Sequence, residues 1–220
     1  MKSGRKWLTR GEIETSGVLK GRGLEIAYLA DPVEVFFLQV QGSGRLKLAD
    51  ESTLRVGFAA KNGHKYRSVG RELVRRGHYK AHQVSAGTIK KWVRANGNEG
   101  QRLLHHYPSF VFFRDLDKVP PEKGPLGAMK RSVTAGRSIA VDKKYVPLGA
   151  PVWIEKEGAA PMRRLMVAQD TGSAIKGPQR ADIFYGTGDQ AGRAAGRLRD
   201  GGRLIQLWPV EVIRSAKKAN

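Results

Sequence analysis

The first 65 residues of the chain carry their apolar side chains in short runs that suit extended strands. Residues 34–48 place apolar side chains on both faces of an extended chain, then a glycine turn, then a second run. This pattern is typical of a well-buried strand followed by a turn and another strand. Residues 52–63 predict a further strand that ends at an Asn-Gly turn. This part of the chain is therefore predicted to be mostly β structure.

The next part of the chain changes to helical spacing. Residues 68–79, 85–97 and 98–109 each combine an apolar stripe with helix start or stop signals. Ser68 and Ser85 are the predicted N-caps of the first two helices, and a glycine ends each of them. We therefore expect three short helices after the β region.

A segment rich in proline and glycine then separates the chain into two parts. Short strands dominate the second part, and one helix begins near Asp189, the predicted N-cap of that helix. The predicted strands are residues 138–142, 151–156, 164–170, 181–186 and 203–213. Short strands joined by glycine and proline turns are typical of a barrel or a sandwich. The predicted organisation is a smaller β domain with three short helices over residues 1–115, a linker over 116–130 and a barrel-like domain over 131–220.

Composition limits the chemistry that this fold can carry. The 220 residues include 40 Lys and Arg against 20 Asp and Glu, so the formal net charge is +20. Such a charge suits nucleic acid, a membrane surface or an acidic polymer, and it equally suits a generally basic surface. Cysteine is absent, which excludes disulfides, thiol nucleophiles and thiolate metal sites. The five histidines show no metal-ligand spacing, so no metal is predicted. No segment resembles a signal peptide or a membrane helix.

Three aspartates lie at the ends of predicted strands in the last third of the chain: Asp142, Asp170 and Asp182. Each one by itself fits a turn-capping role. As a cluster they could supply acid–base chemistry, because strand ends face loops where sites are built. Asp182 precedes the apolar residues 183–186, which could desolvate its carboxyl group and raise its pKa, as a general acid requires.

Two basic or polar segments accompany these acids. Lys176 and Arg180 lie between Asp170 and Asp182, where they could bind an anionic substrate or pair with the acids. Residues 61–68, KNGHKYRS, combine basic, amide and aromatic side chains. That combination suits contact with sugar or nucleic acid, and it equally suits a solvated turn.

Six blocks of sequence occur in one order along the chain. They are FFLQVQGSGRL, AAKNGHKYRSVG, PSFVFF, GRSIAVDKKYVPLG, LMVAQDTGSAIKG and RADIFYGTGDQAG. In these blocks the chain resembles the MltA family of lytic murein transglycosylases, including its C-terminal 3D domain. Ser173 and Lys130 stand where the family usually has glycine.

The resemblance implies a mainly β fold, with a double-psi β-barrel and a smaller β domain that carries short helices. It implies cleavage of the β-1,4 bond between N-acetylmuramic acid and N-acetylglucosamine in peptidoglycan, without water and without a cofactor, leaving 1,6-anhydro ends. Asp182 is then the single catalytic acid, and Asp170 and Asp142 support it. The expected partners are glycan strands of peptidoglycan, with no nucleic acid and no membrane span. The implied substrate-binding residues are Gln41, Ser43, Lys61, Asn62, His64, Tyr66, Thr171, Lys176 and Arg180.

Family members usually carry an export signal and then a segment that completes the barrel, and both are expected to be missing from these residues. The implied location is the periplasm or outer membrane, although the chain shows neither a signal peptide nor a lipobox. Two alternatives stay open from the sequence. The chain could be a non-catalytic remnant that binds peptidoglycan, or a basic nucleic-acid-binding protein.

Overall fold

A computed structural model describes residues 6–120, 122–158, 160–196 and 200–218. The chain divides into two compact units, Met1–Lys118 and Val119–Asn220, called unit 1 and unit 2 below. The described part contains no helix that is long and apolar enough to cross a membrane.

Unit 1 combines helices with one antiparallel sheet. Its helices are α1 (Arg10–Ser16), α2 (Pro32–Gln41), α3 (Val69–Arg75), α4 (Ala86–Ala95) and α5 (Gly97–His105), with a 3-10 turn at Ala81–Gln83. Its strands are β1 (Ser43–Lys47), β2 (Thr53–Lys61) and β3 (Val111–Asp115), in the spatial order β1-β2-β3. The three helices predicted between residues 68 and 109 are confirmed as α3, α4 and α5, each shorter than predicted. The hydroxyls of Ser68 and Ser85 cap the first two, as predicted.

Helix α2 is a correction to the sequence-based expectation, because a buried strand was predicted there. Asp31 accepts a hydrogen bond from the Val33 amide at 2.8 Å and caps the helix. Pro32 stands at the first helical position, where its missing N–H costs nothing. Gly42 ends the helix in the left-handed conformation, with φ of 80°. Buried Val33 and Phe36 are three residues apart, which is the spacing of one helix face.

The core of unit 1 is formed where α2, α3, α4 and α5 meet. Leu73 and Leu103 are both fully buried at 0 % exposure. The cluster consists of Val33, Phe36, Val69, Leu73, Ile89, Val93, Leu103, Leu104 and Tyr107. The helices that were predicted from the sequence therefore bury the same apolar stripes on which the prediction was based.

Unit 2 is built on a curled five-stranded sheet that forms a half-barrel. Its strands are β4 (Ser138–Val141), β5 (Pro151–Lys156), β6 (Met162–Thr171), β7 (Ala181–Ile183) and β8 (Gly202–Gln206). The spatial order is β7-β4-β6-β5-β8, in which β4 and β6 run parallel and the other neighbours run antiparallel. The core lies on one face of this sheet, where Val141, Val152 and Ala168 are each 0 % exposed.

Two helices complete unit 2. Helix α6 (Asp189–Gly196) starts where a helix was predicted, but the side chain of Asp189 lies outside the described residues, so its capping role stays a prediction. Helix α7 (Val210–Lys218) corrects the strand predicted over residues 203–213. Pro209 interrupts that run, and its carbonyl accepts hydrogen bonds from the amides of Val212 and Ile213. The strand therefore ends at Gln206, and a helix begins after the proline.

Candidate active site

Two of the three aspartates flank the same residue of the central strand β4. Ala140 is paired with Asp170 of β6 on one side and with Asp182 of β7 on the other. Residues directly opposite each other on neighbouring strands project from the same face of a sheet. The two carboxyl groups therefore share one face, with only a methyl group between them. Their Cα atoms are two strand spacings apart, about 10 Å.

A β-bulge puts Asp170 on that face. The register pairs Ile139 with Ala168 and Ala140 with Asp170, so Gln169 is the extra residue on β6. Without the bulge, Asp170 would lie two residues after Ala168 on the core face, because side chains alternate along a regular strand. The extra residue moves the carboxyl group away from the core and onto the face of Asp182.

Hydrogen bonds hold the bulge in place. The Ser138 hydroxyl donates a hydrogen bond to the side-chain oxygen of Gln169. The backbone carbonyl of Gln169 accepts a hydrogen bond from the amide of Met129 at 3.2 Å. Met129 belongs to residues 126–132, a tight loop closed by an antiparallel bridge between Leu126 and Ser132. This loop therefore fixes the β6 backbone at the point where Asp170 changes face.

The same loop covers part of Asp170. The Ala128 amide donates a hydrogen bond to Oδ1 of Asp170 at 2.9 Å. Burial raises the pKa of Asp170 above its ordinary value, although hydrogen bonds from the Thr171 and Ala128 amides act in the opposite direction. Gly127 makes this close approach possible, because a Cβ atom there would lie 2.6 Å from the carbonyl oxygen of Gln169.

Asp182 is in a different environment from the one that its neighbours predicted. Its side chain is 53 % exposed, so the apolar residues that follow it do not desolvate the carboxyl group. That expectation was wrong because alternation along β7 turns Ala181 and Ile183 toward the core and Asp182 away from it. Oδ1 of Asp182 accepts a hydrogen bond from Nε of Arg180 at 3.1 Å, and Nη2 of the same arginine forms an ion pair with it at 2.9 Å.

Asp142 works as an anchor for the loop between β6 and β7. It is 4 % exposed, and its two oxygens accept hydrogen bonds from the amides of Gly177 at 3.1 Å and Lys144 at 3.2 Å. These hydrogen bonds, the one from Gly177 first, lower the pKa of Asp142 below its ordinary value. The turn-capping role that suits any single aspartate therefore describes this one.

The loop over residues 172–180 is fixed at further points and presents its basic residues to solvent. Ile175 is buried at 6 % exposure. The side-chain amide of Gln179 makes two hydrogen bonds with the backbone of Leu204 in β8. Lys176 and Arg180 are both exposed on this loop. Thr171 was also predicted to bind substrate. It pairs with buried Val141 and so lies on the opposite face of the sheet from Asp170.

The remaining predicted contact residues lie in unit 1. Gln41 is the exposed last residue of α2, and Ser43 is the half-buried first residue of β1. Lys61 ends β2 and is exposed. His64 is half-buried, with Nε2 at 2.7 Å from the Trp7 carbonyl. Tyr66 is 37 % exposed and packs its ring against Tyr107, with 5.4 Å between the centroids.

Asn62 is a correction within this group, because its side chain serves the fold. It is 0 % exposed. Its amide nitrogen donates to the carbonyls of Leu8 and Pro108, each at 2.8 Å, and its oxygen accepts from the Phe110 amide at 2.8 Å. These bonds use both donors and one acceptor site, so Asn62 joins three segments of unit 1 and is left out of the candidate binding surface.

Sequence reasoning missed the residues that shape the site around Asp170. Gln169 and Gly127 carry no charge and follow no motif of catalytic type, and a bulge leaves no mark on the apolar pattern of a strand. Within the described residues, no group of three or more His, Asp or Glu side chains is placed to hold a metal ion.

Comparison with known proteins bears on both units. Residues 2–114 match the family model described as the MltA specific insert domain, and residues 137–208 match the model described as the 3D domain. The chain is 35 % identical over 209 residues to the membrane-bound lytic murein transglycosylase A of Vibrio cholerae, covering 90 % of this chain and 55 % of that protein. It is 36 % identical to the protein of the same name from Escherichia coli K12, covering 83 % of this chain and 51 % of that protein. The chain thus spans about half the length of the curated relatives it matches.

Solved structures give the same result. A membrane-bound lytic murein transglycosylase from Agrobacterium tumefaciens superimposes with a TM-score of 0.86 at 38 % identity, covering 95 % of this chain and 58 % of that one. E. coli MltA with bound chitohexaose superimposes with a TM-score of 0.78 at 33 % identity, covering 94 % of this chain and 62 % of that one. The family-model matches fall in both units, and the 3D-domain match includes Asp142, Asp170 and Asp182.

Proposed function

Since the chain belongs to the MltA family of lytic murein transglycosylases, we propose that it cleaves the β-1,4 bond between N-acetylmuramic acid and N-acetylglucosamine in peptidoglycan without water. The product is a 1,6-anhydromuramyl end. The observation that supports this proposal most directly is the register at Ala140, which brings Asp170 and Asp182 to one face of the sheet. The relative with bound chitohexaose supports a glycan as the ligand.

Asp182 is the proposed catalytic acid. In its protonated form it gives its proton to the glycosidic oxygen as the bond from C1 of muramic acid to that oxygen breaks. The C6 hydroxyl oxygen then attacks C1, and its proton passes to the Asp182 carboxylate, which restores the acid. One carboxyl group thus acts twice, as acid and then as base. Its exposure makes it accessible to a glycan.

Asp170 is better suited to a supporting role. Its Oδ1 is already used by the Ala128 amide, and the loop over residues 126–132 restricts access to it. Burial raises the pKa of Asp170, and its carboxyl group lies on the same face as Asp182, where it can hydrogen-bond to the substrate. Asp142 supports the site indirectly by fixing the loop that carries Lys176 and Arg180.

The ion pair between Arg180 and Asp182 occupies Oδ1 of the proposed acid. Both side chains are more than half exposed, and exposed ion pairs contribute little free energy, about 0–1 kcal/mol. An arriving glycan can therefore displace Arg180 at small cost. The released guanidinium, with Lys176 on the same loop, then becomes available to acidic groups of the substrate.

The test is product analysis on purified sacculi. We expect fragments whose muramic ends are lighter by one water molecule than hydrolysis products, because the C6 hydroxyl replaces water as the nucleophile. Two carboxylates on one face also suit hydrolysis by an activated water. Reducing muramic ends in the mass spectrum would therefore contradict the transglycosylase reaction and indicate a hydrolase.

Binding and location complete the proposal. The proposed partner is the glycan strand of peptidoglycan, and the proposed location is the periplasm or outer membrane, since the curated relatives are named membrane-bound.

If the chain binds sacculi and releases no products, it is a non-catalytic peptidoglycan-binding protein. The net charge of +20 favours nucleic acid as an alternative partner.

A further inference from the structure

Two cavities lie side by side in unit 1, and neither belongs to the carboxylate face of unit 2. One measures about 190 Å³ and is lined mainly by apolar side chains, including Phe36, Phe37, Val84 and Ile89. The other measures about 400 Å³ and is lined mainly by charged and polar side chains. The two share Tyr66, Arg67 and Ser68 as lining residues, so they form one two-part site. We call them the apolar cavity and the basic cavity.

The basic cavity has an excess of positive charge. Arg67, Arg71 and Arg75 line it together with one carboxylate, that of Glu72. Glu72 is 5 % exposed, and its oxygens accept hydrogen bonds from Arg75 at 2.6 and 2.8 Å and from Arg76 at 2.8 Å. These bonds lower the pKa of Glu72 to about 2, so its charge is present at any physiological pH and is matched by Arg75 and Arg76.

Arg67 and Arg71 are left without such a partner. Their side chains make no ion pair or hydrogen bond with any of the residues that the structure describes, and both residues are exposed. Two guanidinium groups that face one cavity can each bind a carboxylate through two parallel hydrogen bonds. The cavity therefore presents donors for an acidic ligand that the fold itself does not use.

The apolar cavity sets the second requirement for the ligand. Its volume of about 190 Å³ suits a small aliphatic group, and its walls offer no charged partner apart from the shared Arg67. A ligand that fills both cavities must carry a small apolar group next to a carboxylate. A short acidic peptide with alanine-like side chains has this chemistry, whereas a neutral sugar has no carboxylate and a bare phosphate has no apolar group.

We propose that this two-part site binds the acidic stem peptide of peptidoglycan, with a carboxylate on Arg67 and Arg71 and a small side chain in the apolar cavity. The identity of the peptide rests on the proposed function, while the acidic and apolar character of the ligand rests on the cavities alone.

The experiment measures binding by calorimetry, with stem peptides released from sacculi by an amidase as the probe. The variant Arg71→Gln should bind the peptides about tenfold or more weakly, because a charge-assisted hydrogen bond is lost. The matched control is Arg22→Gln, since Arg22 is an exposed arginine of unit 1 that lines neither cavity. This control should bind as the unchanged protein does.

A second variant tests the apolar cavity. Ala86 lines that cavity at the exposed first position of α4, so Ala86→Leu adds three carbon atoms at the cavity without burying a new group in the core. We expect the affinity for the peptides to fall several-fold with little change in melting temperature. If both variants bind like the unchanged protein, the proposal is wrong.

Changes to the ligand keep the test independent of any variant. Peptides whose carboxyl groups have been converted to amides should lose most of their affinity for the unchanged protein, and equal affinity would overturn the proposal. Tighter binding of inorganic phosphate than of the peptides would also overturn it in favour of a phosphate site. Asp182→Asn should bind the peptides normally, so peptide binding stands or falls separately from glycan cleavage.

Discussion

Asp182 carries the proposed reaction through a single carboxyl group, so its replacement is the sharpest test at the scale of one residue. Asp182→Asn keeps the size and can still accept from Arg180 but cannot transfer a proton. We expect the release of anhydro products to fall by at least about 10²–10⁴-fold. The melting temperature should stay within about 1–2 °C, since the side chain is 53 % exposed and its ion pair is worth little.

Asp170→Asn is the matched comparison, because it changes the other carboxyl group of the same face. The Asn oxygen can still accept from the Ala128 amide, so the local structure should survive. A supporting role predicts a smaller loss of turnover than that of Asp182→Asn. If Asp170→Asn were the more damaging change, the roles proposed for the two carboxyl groups would have to be exchanged.

The pH dependence of stability distinguishes Asp170 from an ordinary surface acid. Its pKa is raised in the folded protein by burial, so the folded state binds the proton more tightly than the unfolded chain does. That contribution to stability is complete below the unfolded pKa and is lost as the pH rises through the folded pKa. Asp170→Asn removes the titrating group. The free energy of unfolding of the variant, relative to that of the unchanged protein, should therefore be higher at pH 7 than at pH 3.

Urea unfolding of both proteins at the two pH values measures this difference. The contribution of Asp142 to stability has the opposite pH dependence, because hydrogen bonds to its carboxylate lower its pKa. Its contribution is present at neutral pH and is lost as the pH falls. An Asp170→Asn effect that was the same at both pH values would show that burial does not perturb this carboxyl group.

At the scale of elements, the site depends on the loop over residues 126–132 that fixes the bulge in β6. Gly127→Ala would place a Cβ atom 2.6 Å from the carbonyl oxygen of Gln169, which is backbone and cannot swing aside. We expect a loss of stability of about 1–3 kcal/mol and a loss of turnover, because the loop must move away from Asp170. The control is Gly192→Ala in helix α6, where an added Cβ meets nothing within 4 Å.

Gly192→Ala should raise stability by up to about 0.5–1 kcal/mol, because alanine is the better helix former. Calorimetric melting and the sacculus assay on both variants give the comparison. A Gly127→Ala protein with normal stability and normal turnover would mean that the loop does not have to lie against the bulge for the site to work.

The elements also show where sequence reasoning succeeds. Helices α3 and α4 were predictable because a serine cap, an apolar stripe and a stop signal agree within one short segment. Helix α2 was mistaken for a strand because its run is apolar on both faces, which suits either structure. The Asp31-Pro32 start was the local signal that decides between them.

Features that depend on residues far apart in the sequence were beyond prediction. Arg10 is an example, since it is 1 % exposed. Its guanidinium carbon lies 4.9, 5.5 and 5.4 Å from the ring centroids of Phe36, Tyr107 and Phe110. The bulge at Gln169 is another, because it is defined only by the pairing of β6 with β4. The three aspartates were identified from their positions at strand ends. The extent to which each side chain is buried could not be predicted.

At the scale of the whole molecule, the net charge of +20 makes two contributions to binding separable. Charge attraction to acidic groups of sacculi weakens with salt, because exposed charges are screened within about 8 Å at physiological ionic strength. Contacts with an uncharged sugar chain do not depend on salt in this way. Binding to sacculi should therefore fall as sodium chloride rises from about 50 to about 500 mM, down to a residual level that further salt does not remove.

Chitohexaose is the control ligand, because it is an uncharged oligosaccharide and is bound in the structure of the E. coli relative. Its affinity for this chain should stay constant over the same range of salt. Duplex DNA, added at the same number of negative charges as the sacculi, should displace only the salt-sensitive part of the binding, since DNA offers charge but no glycan. Complete displacement by DNA, together with no measurable binding of chitohexaose, would mean that the positive charge alone selects the partner and that the alternative of a nucleic-acid-binding protein is correct.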